Sequence, residues 1–268
     1  MSPLPEGSLF SGDSMSYQTL RIVVKEKVGY LTLDNGTRFN TLHSRCITEL
    51  KRGLQELEAT AEVCCIVLSG GEGESFAVGA NIAEMKDFTP LDGFWFSEHG
   101  QSLFNQMESA DKPIIGALNG IAMGGGCDLA LACDIRLASD RLKIAHPGAK
   151  LGIITGFGGT QKLPRQVGRN FAREIFMTSE TYGADEALRM SLVDRVYPHR
   201  QFWSEVTRFA ERIAANSPTA LTYAKKLINA SSDIDLHNGQ VMELGAFSTL
   251  FSSELVGRQV SAFFSRKG

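Results

Sequence analysis

The sequence predicts an α/β core followed by an all-helical C-terminal region. Three observations carry that reading. Short apolar runs bounded by turn residues alternate with stretches of helical periodicity as far as about residue 200. Two glycine-rich loops, at Gly124-Gly125-Gly126 and Gly156-Phe157-Gly158-Gly159, each precede a helix former. Beyond Pro198 the strand pattern stops and only helical periodicity remains.

Taken in order, Leu20 to Lys25 and Tyr30 to Asp34 read as a hairpin turning at Glu26 to Gly29, and Asn35-Gly36 ends its second strand. Ile47, Leu50, Leu54 and Leu57 keep helical spacing within His43 to Leu57. Val63 to Leu68 is a buried strand stopped by Ser69-Gly70-Gly71. Ser75 to Ile82 is a short strand running into a turn, where Asn81 is placed to cap a small helix. Leu91 to Ser109 is a long helix. Lys112-Pro113 then opens a strand, Ile114 to Leu118, and Ile135 to Ala138 and Leu142 to Ala145 are further strands. A helix begins at Ala184, and Val193 to Tyr197 reads as a final edge strand. The tail holds helices over Phe202 to Ala215, Thr219 to Ser231 (capped by Ser217-Pro218), Leu236 to Phe251 and Glu254 to Phe264. No internal sequence repeat is visible.

The chain is organised around Lys112 to Asp134. There a strand, three glycines and a helix start follow one another. Glycines let a ligand approach the backbone closely. The first N–H groups of a helix lack internal partners and carry partial positive charge. Together they form a seat for a developing negative charge. The structural alternative is close packing of helix on strand.

Composition narrows the function classes. At 268 residues, with 43% hydrophobic and 21% charged residues, the chain has the balance of a globular protein. A net charge of -3 gives no footprint for nucleic acid. No apolar run approaches the roughly 20 residues of a membrane span. Residues 1–16 read as a disordered leader, neither signal nor transit peptide, with Met15 as an alternative start. Cys46, Cys64, Cys65, Cys127 and Cys133 show neither zinc spacing nor a disulfide framework, which points to no metal and to a reducing cytoplasm.

After Met15 the chain resembles the crotonase (enoyl-CoA hydratase/isomerase) superfamily. The resemblance rests on Asn40-Thr41-Leu42, Phe76 to Ile82, Asn119 to Asp134, Gly156-Phe157-Gly158-Gly159-Thr160-Gln161 with Leu163-Pro164-Arg165, the Ser217-Pro218 turn and the helical tail. It implies a spiral of ββα units over residues 17–200 and a C-terminal α-helical oligomerisation region over 201–268 that builds trimers, often paired as hexamers. It also implies acyl-CoA thioester substrates, with coenzyme A entering as part of the substrate and no permanently bound cofactor. By the family pattern, the N–H groups of Ala80 and Gly125 form an oxyanion hole. Val78, Ala80 and Ile82 surround the adenine ring, and Arg38 contacts the nucleotide phosphates. Phe263 and Arg266 close the CoA site of a neighbouring subunit. Arg38 as a solvated charge and Phe263 as a packing residue remain the structural alternatives.

The chain departs from the family at its acid–base pair. Hydratases of the family use two glutamates; here the first position is Asp128 and the second is Gly148. Some family members with glycine at the second position use bound bicarbonate instead, and the run Gly148-Ala149-Lys150-Leu151-Gly152 resembles theirs. His146, Lys86 and Cys127 stand near the gap. His146 offers an imidazole or serves as a packed structural residue, and Lys86 offers a cation or is an exposed helix lysine. Cys127 has no paired base to activate it. Phe94, Trp95 and Phe96 fall where relatives line the acyl pocket, or else belong to the core. Two functions remain open: an enoyl-CoA (de)hydratase or other enolate-forming enzyme such as a decarboxylase, with Asp128 retained, and an acyl-CoA-binding pseudoenzyme.

Overall fold

A computed structural model describes residues 17–36 and 38–265; the leader at 1–16 and Arg266 lie outside the described residues. The chain divides into two compact units, Met1–Ala215 and Asn216–Gly268.

The first unit is α/β. Its strands are β1 (Leu20–Lys25), β2 (Val28–Leu33), β3 (Cys65–Ser69), β4 (Ser75–Val78), β5 (Ile114–Leu118), β6 (Ile121–Met123), β7 (Ile135–Ser139), β8 (Lys143–Ala145), β9 (Thr181–Gly183) and β10 (Arg195–Tyr197). Its helices are α1 (Ser44–Ala59), α2 (Ile82–Met85), α3 (Pro90–Ser109), α4 (Gly125–Leu131), α5 (Gly159–Thr178), α6 (Ala184–Arg189) and α7 (Phe202–Ala214). A six-stranded sheet runs β1-β2-β3-β5-β7-β10, and a four-stranded sheet runs β4-β6-β8-β9. The first strand of each successive pair (β3, β5, β7) joins the large sheet in parallel, and its follower (β4, β6, β8) joins the small one. A ββα unit thus repeats in structure although no sequence repeat marks it.

The large sheet is buried on both faces, which is why its strands read as unbroken apolar runs. Alternate residues of β3 show the division. Ile66 and Leu68 face the main core with Leu50 and Leu54 of α1 and Phe104 of α3. Cys65 and Val67 face a second core with Phe202, Trp203, Val206 and Ala210 of α7. The first compact unit runs to Ala215. Helix α7 covers the back of the sheet, so its apolar stripe belongs to the α/β unit.

The β1–β2 turn is tighter than expected. Glu26 and Lys27 take positive φ values of 49° and 63°, so Val28 already pairs with Lys25. Two three-residue strands, β6 and β9, were not apparent from the sequence. Asn81 caps α2 as expected, accepting from the Ala83 N–H at 3.1 Å.

Buried Glu49 of α1 ties the start of the described chain to this unit. One of its oxygens accepts from the N–H groups of Gln18 and Thr19 at 2.9 and 2.8 Å and from the Thr19 hydroxyl at 2.7 Å. Burial alone would raise its carboxyl, but the Thr19 and Gln18 donors outweigh burial and hold it below the usual range. A depressed folded value contributes stability above the unfolded value, and that stability is lost as pH falls through the folded one. Glu49→Gln is therefore expected to cost about 1–2 kcal/mol at neutral pH. In urea titrations the gap to wild type should close as the pH drops below about 4.

The second unit holds α8 (Pro218–Ala230), α9 (Leu236–Leu250) and α10 (Glu254–Ser265). Ser217 and Asp235 cap α8 and α9, accepting from Ala220 N–H and Asn238 N–H. Leu236, Val241, Met242, Leu244 and Phe247 of α9 are all exposed. No helix among the described residues is long and apolar enough to cross a membrane.

Candidate active site

A cavity of about 660 Å³ opens in the first unit, within the range of small-molecule sites. Its walls come from the ends of β4 and β6, the start of α4, the segment from His146 to Phe157, and α2 and α3. They are largely apolar, with Ile82, Met85, Phe88, Phe96, Leu151, Ile153 and Ile154 among them.

Local backbone geometry brings the two glycine-bearing segments together. Gly79 and Gly124 take φ values of 45° and 53°, which glycine tolerates without a Cβ clash. Leu42 N–H donates to the Gly79 carbonyl at 2.8 Å, and Gly124 N–H donates to Ala145 at 2.9 Å, fixing both turns. A Cβ built on Gly79 would lie 3.5 Å from the Gly125 nitrogen, so the Ala80 loop and the start of α4 are neighbours. Gly125 opens α4, and its N–H belongs to the first turn, where no intrahelical acceptor exists.

Asp128 follows one turn later. Its side chain is 1% exposed, and both oxygens are engaged. His146 Nε2 lies 2.9 Å from Oδ1; with the carboxylate ionised, the nitrogen donates. The Thr155 hydroxyl donates to Oδ2. A Cβ on Gly159 would fall 2.0 Å from Oδ1, so the first turn of α5 presents its partial positive charge to this carboxylate. The His146 ring packs against Phe176 with centroids 4.6 Å apart, and its Nδ1 is buried without a hydrogen-bond partner.

The other expected residues divide between the cavity and the outside. Val78, Ala80, Ile82 and Gly148 line it with Gly125 and Asp128. Gly148 sits in a short 3-10 turn (Pro147–Leu151), and a Cβ there would meet the Ile153 carbonyl oxygen at 3.0 Å. A longer residue at 148 would need the exposed Ile153–Ile154 loop to give way. Arg38 is exposed, pairs with Glu74 at 2.5 Å and lies over the Phe39 ring. Lys86 ends α2 in solvent. Of the aromatic run on α3, only Phe96 reaches the cavity, its ring tilted at 45° to that of Phe157 with centroids 5.2 Å apart. Phe94 and Trp95 are exposed. Cys127 is buried, and burial, with Asp128 beside it, pushes its thiol well above the ordinary range. None of the five cysteines is in a disulfide. Phe263 lies on α10, but its side chain and Arg266 are outside the described residues.

Thr155 was not singled out by the sequence. It shows no motif of its own, and its contact with Asp128 spans 27 residues of chain.

Comparison with known proteins agrees with the fold. The sequence profile described as enoyl-CoA hydratase/isomerase matches residues 24–267. The chain is 36% identical over 247 residues to a short-chain-enoyl-CoA hydratase of Clostridium acetobutylicum, covering 92% of this chain and 95% of that one. It is 32% identical over 253 residues to a crotonyl-CoA hydratase of Syntrophomonas wolfei, covering 94% and 97%. Among solved structures, an enoyl-CoA hydratase from Bacillus anthracis superposes with a TM-score of 0.89 at 30% identity, covering 93% of this chain and 97% of that one.

Proposed function

The chain belongs to the enoyl-CoA hydratase/isomerase family, and from that premise we propose that it adds water to an enoyl-CoA, or removes it, with Asp128 as its acid–base group. The observation that carries this reading is a carboxylate buried at the base of an apolar cavity, one turn beyond the Gly125 helix start. In this reading the N–H groups of Ala80 and Gly125 hold the thioester oxygen as it takes on enolate charge; losing one such donor typically costs about 10²–10³ in rate. Val78, Ala80 and Ile82 receive the adenine ring. Arg38 exchanges Glu74 for the nucleotide phosphates. The relatives named for short-chain enoyl-CoA and crotonyl-CoA support a short acyl group. Assembly as a trimer or a pair of trimers, in the cytoplasm, would cover the exposed apolar residues of α9 and bring Phe263 and Arg266 to a neighbouring site.

A second reading, an acyl-CoA-binding pseudoenzyme, is favoured by one feature: Gly148 supplies no second carboxylate while both Asp128 oxygens are already engaged. Crotonyl-CoA hydration, followed by loss of enoyl thioester absorbance with and without bicarbonate, separates the readings. Turnover without additive is expected. Turnover only with bicarbonate would place an anion beside Gly148, where a carboxylate is missing. Tight CoA binding without turnover in either condition would establish the pseudoenzyme.

A further inference from the structure

We propose that Thr155 is the group through which protons pass between bound substrate and Asp128; the inference rests on the acid–base role given to Asp128 above. Asp128 borders the cavity, but its carboxylate is almost fully covered. Its side chain is 1% exposed, and its two oxygens are taken by His146 and Thr155. His146 also borders the cavity, but its side chain is only 2% exposed and its ring packs on Phe176. Thr155 borders the same cavity but differs from both in being half-buried, so it is the most accessible of the three.

The hydroxyl is held in the orientation a relay needs. It donates its hydrogen to Asp128 Oδ2 and accepts from the Phe157 N–H at 3.3 Å. A hydroxyl has one hydrogen and two lone pairs, so one lone pair remains for a molecule in the cavity.

The proton balance closes without any further reactant. As the water oxygen bonds to the β-carbon of the enoyl thioester, the water proton moves to Thr155 Oγ1 and the Thr155 proton moves to Asp128 Oδ2. The π-electron pair shifts into the enolate. Asp128 then returns its proton to Thr155, which delivers one to the α-carbon, and the carboxylate is restored. A single relay thus serves both steps, which suits a site with one acid–base carboxylate. His146 acts as a positioning residue: its N–H fixes Oδ1 and turns Oδ2 toward Thr155.

The test compares Thr155→Val, Thr155→Ala and Thr155→Ser with wild type in two assays. One is crotonyl-CoA hydration; the other is exchange of the α-protons of butyryl-CoA in deuterated water, followed by NMR. Exchange needs the relay but no net hydration. Valine matches threonine in shape and removes only the hydroxyl, so both rates should fall by at least about 10²-fold while CoA binding is unchanged. Serine should stay within about tenfold of wild type, and alanine, with room for a water, should fall between. Valine within about threefold of wild type in exchange overturns the relay. If the valine variant does not fold, alanine matching serine overturns it equally. Wild type that exchanges but does not hydrate would leave the relay standing and remove the hydratase reading; wild type that does neither overturns both.

Discussion

Asp128→Asn is expected to lower turnover of crotonyl-CoA by about 10²–10⁴-fold, the range a positioned acid or base supplies. The substitution keeps the shape of the side chain; the amide oxygen still accepts from His146 and the amide NH2 donates to the Thr155 hydroxyl, but an amide cannot take up and return a proton. Thermal stability should therefore change little compared with Asp128→Ala. The alanine variant leaves buried His146 Nε2 without the carboxylate it now meets, at a cost of about 1–3 kcal/mol. The separation of the two effects is the informative part. Steady-state kinetics on Asp128→Asn, with its melting temperature and CoA affinity measured in parallel, should show a loss in kcat with KM nearly constant. An unchanged rate would make Asp128 a structural anchor for His146 and Thr155 and would transfer weight to the pseudoenzyme.

How much of this was legible beforehand depended on the range of the contacts involved. β5 was readable because five residues buried on both faces make an apolar run, and Lys112-Pro113 and Asn119-Gly120 bracket it. Asp128 was singled out through the family resemblance, and its placement beside the glycine run is local, within one helical turn. Its surroundings are not local. His146 and Thr155 meet it across 18 and 27 residues, and neither carries a spacing that announces the contact. Helix α7 shows the same limit at the level of the fold. Its apolar stripe reveals a buried face but not which surface it covers, and that surface proved to be the back of the large sheet. β6 and β9 were missed for a simpler reason: three residues are too few for alternation to register.

The spacing between α4 and β4 is a harder constraint than any single side chain in the site, and Gly126→Ala tests it. A Cβ on Gly126 would fall 1.9 Å from the Ala77 carbonyl oxygen and 2.5 Å from its carbon. Both are backbone atoms of β4, so no rotamer change relieves the overlap. The helix must move away by more than about an ångström, and overpacking of this kind costs about 1–3 kcal/mol or more. Replacing a helical glycine with alanine returns at most about 1 kcal/mol, so the clash wins. A net loss near 2 kcal/mol lowers the melting temperature by about 4–8 °C in a chain of this size. The functional loss should be larger. α4 carries Gly125 and Asp128, and β4 leads into Gly79 and Ala80, so the shift pulls apart the two N–H groups assigned to the thioester oxygen. A misplacement of about 1 Å can cost about 10²-fold in rate. Gly125→Ala, one residue earlier, supplies the control. Its Cβ would meet the Phe157 ring at 2.9 Å, and a ring can tilt where a strand cannot. Gly126→Ala should therefore melt lower than Gly125→Ala. A Gly126→Ala enzyme with wild-type stability and turnover would show that α4 can leave β4 without disturbing the site, and would rule out rigid helix–strand packing as the source of the oxyanion geometry.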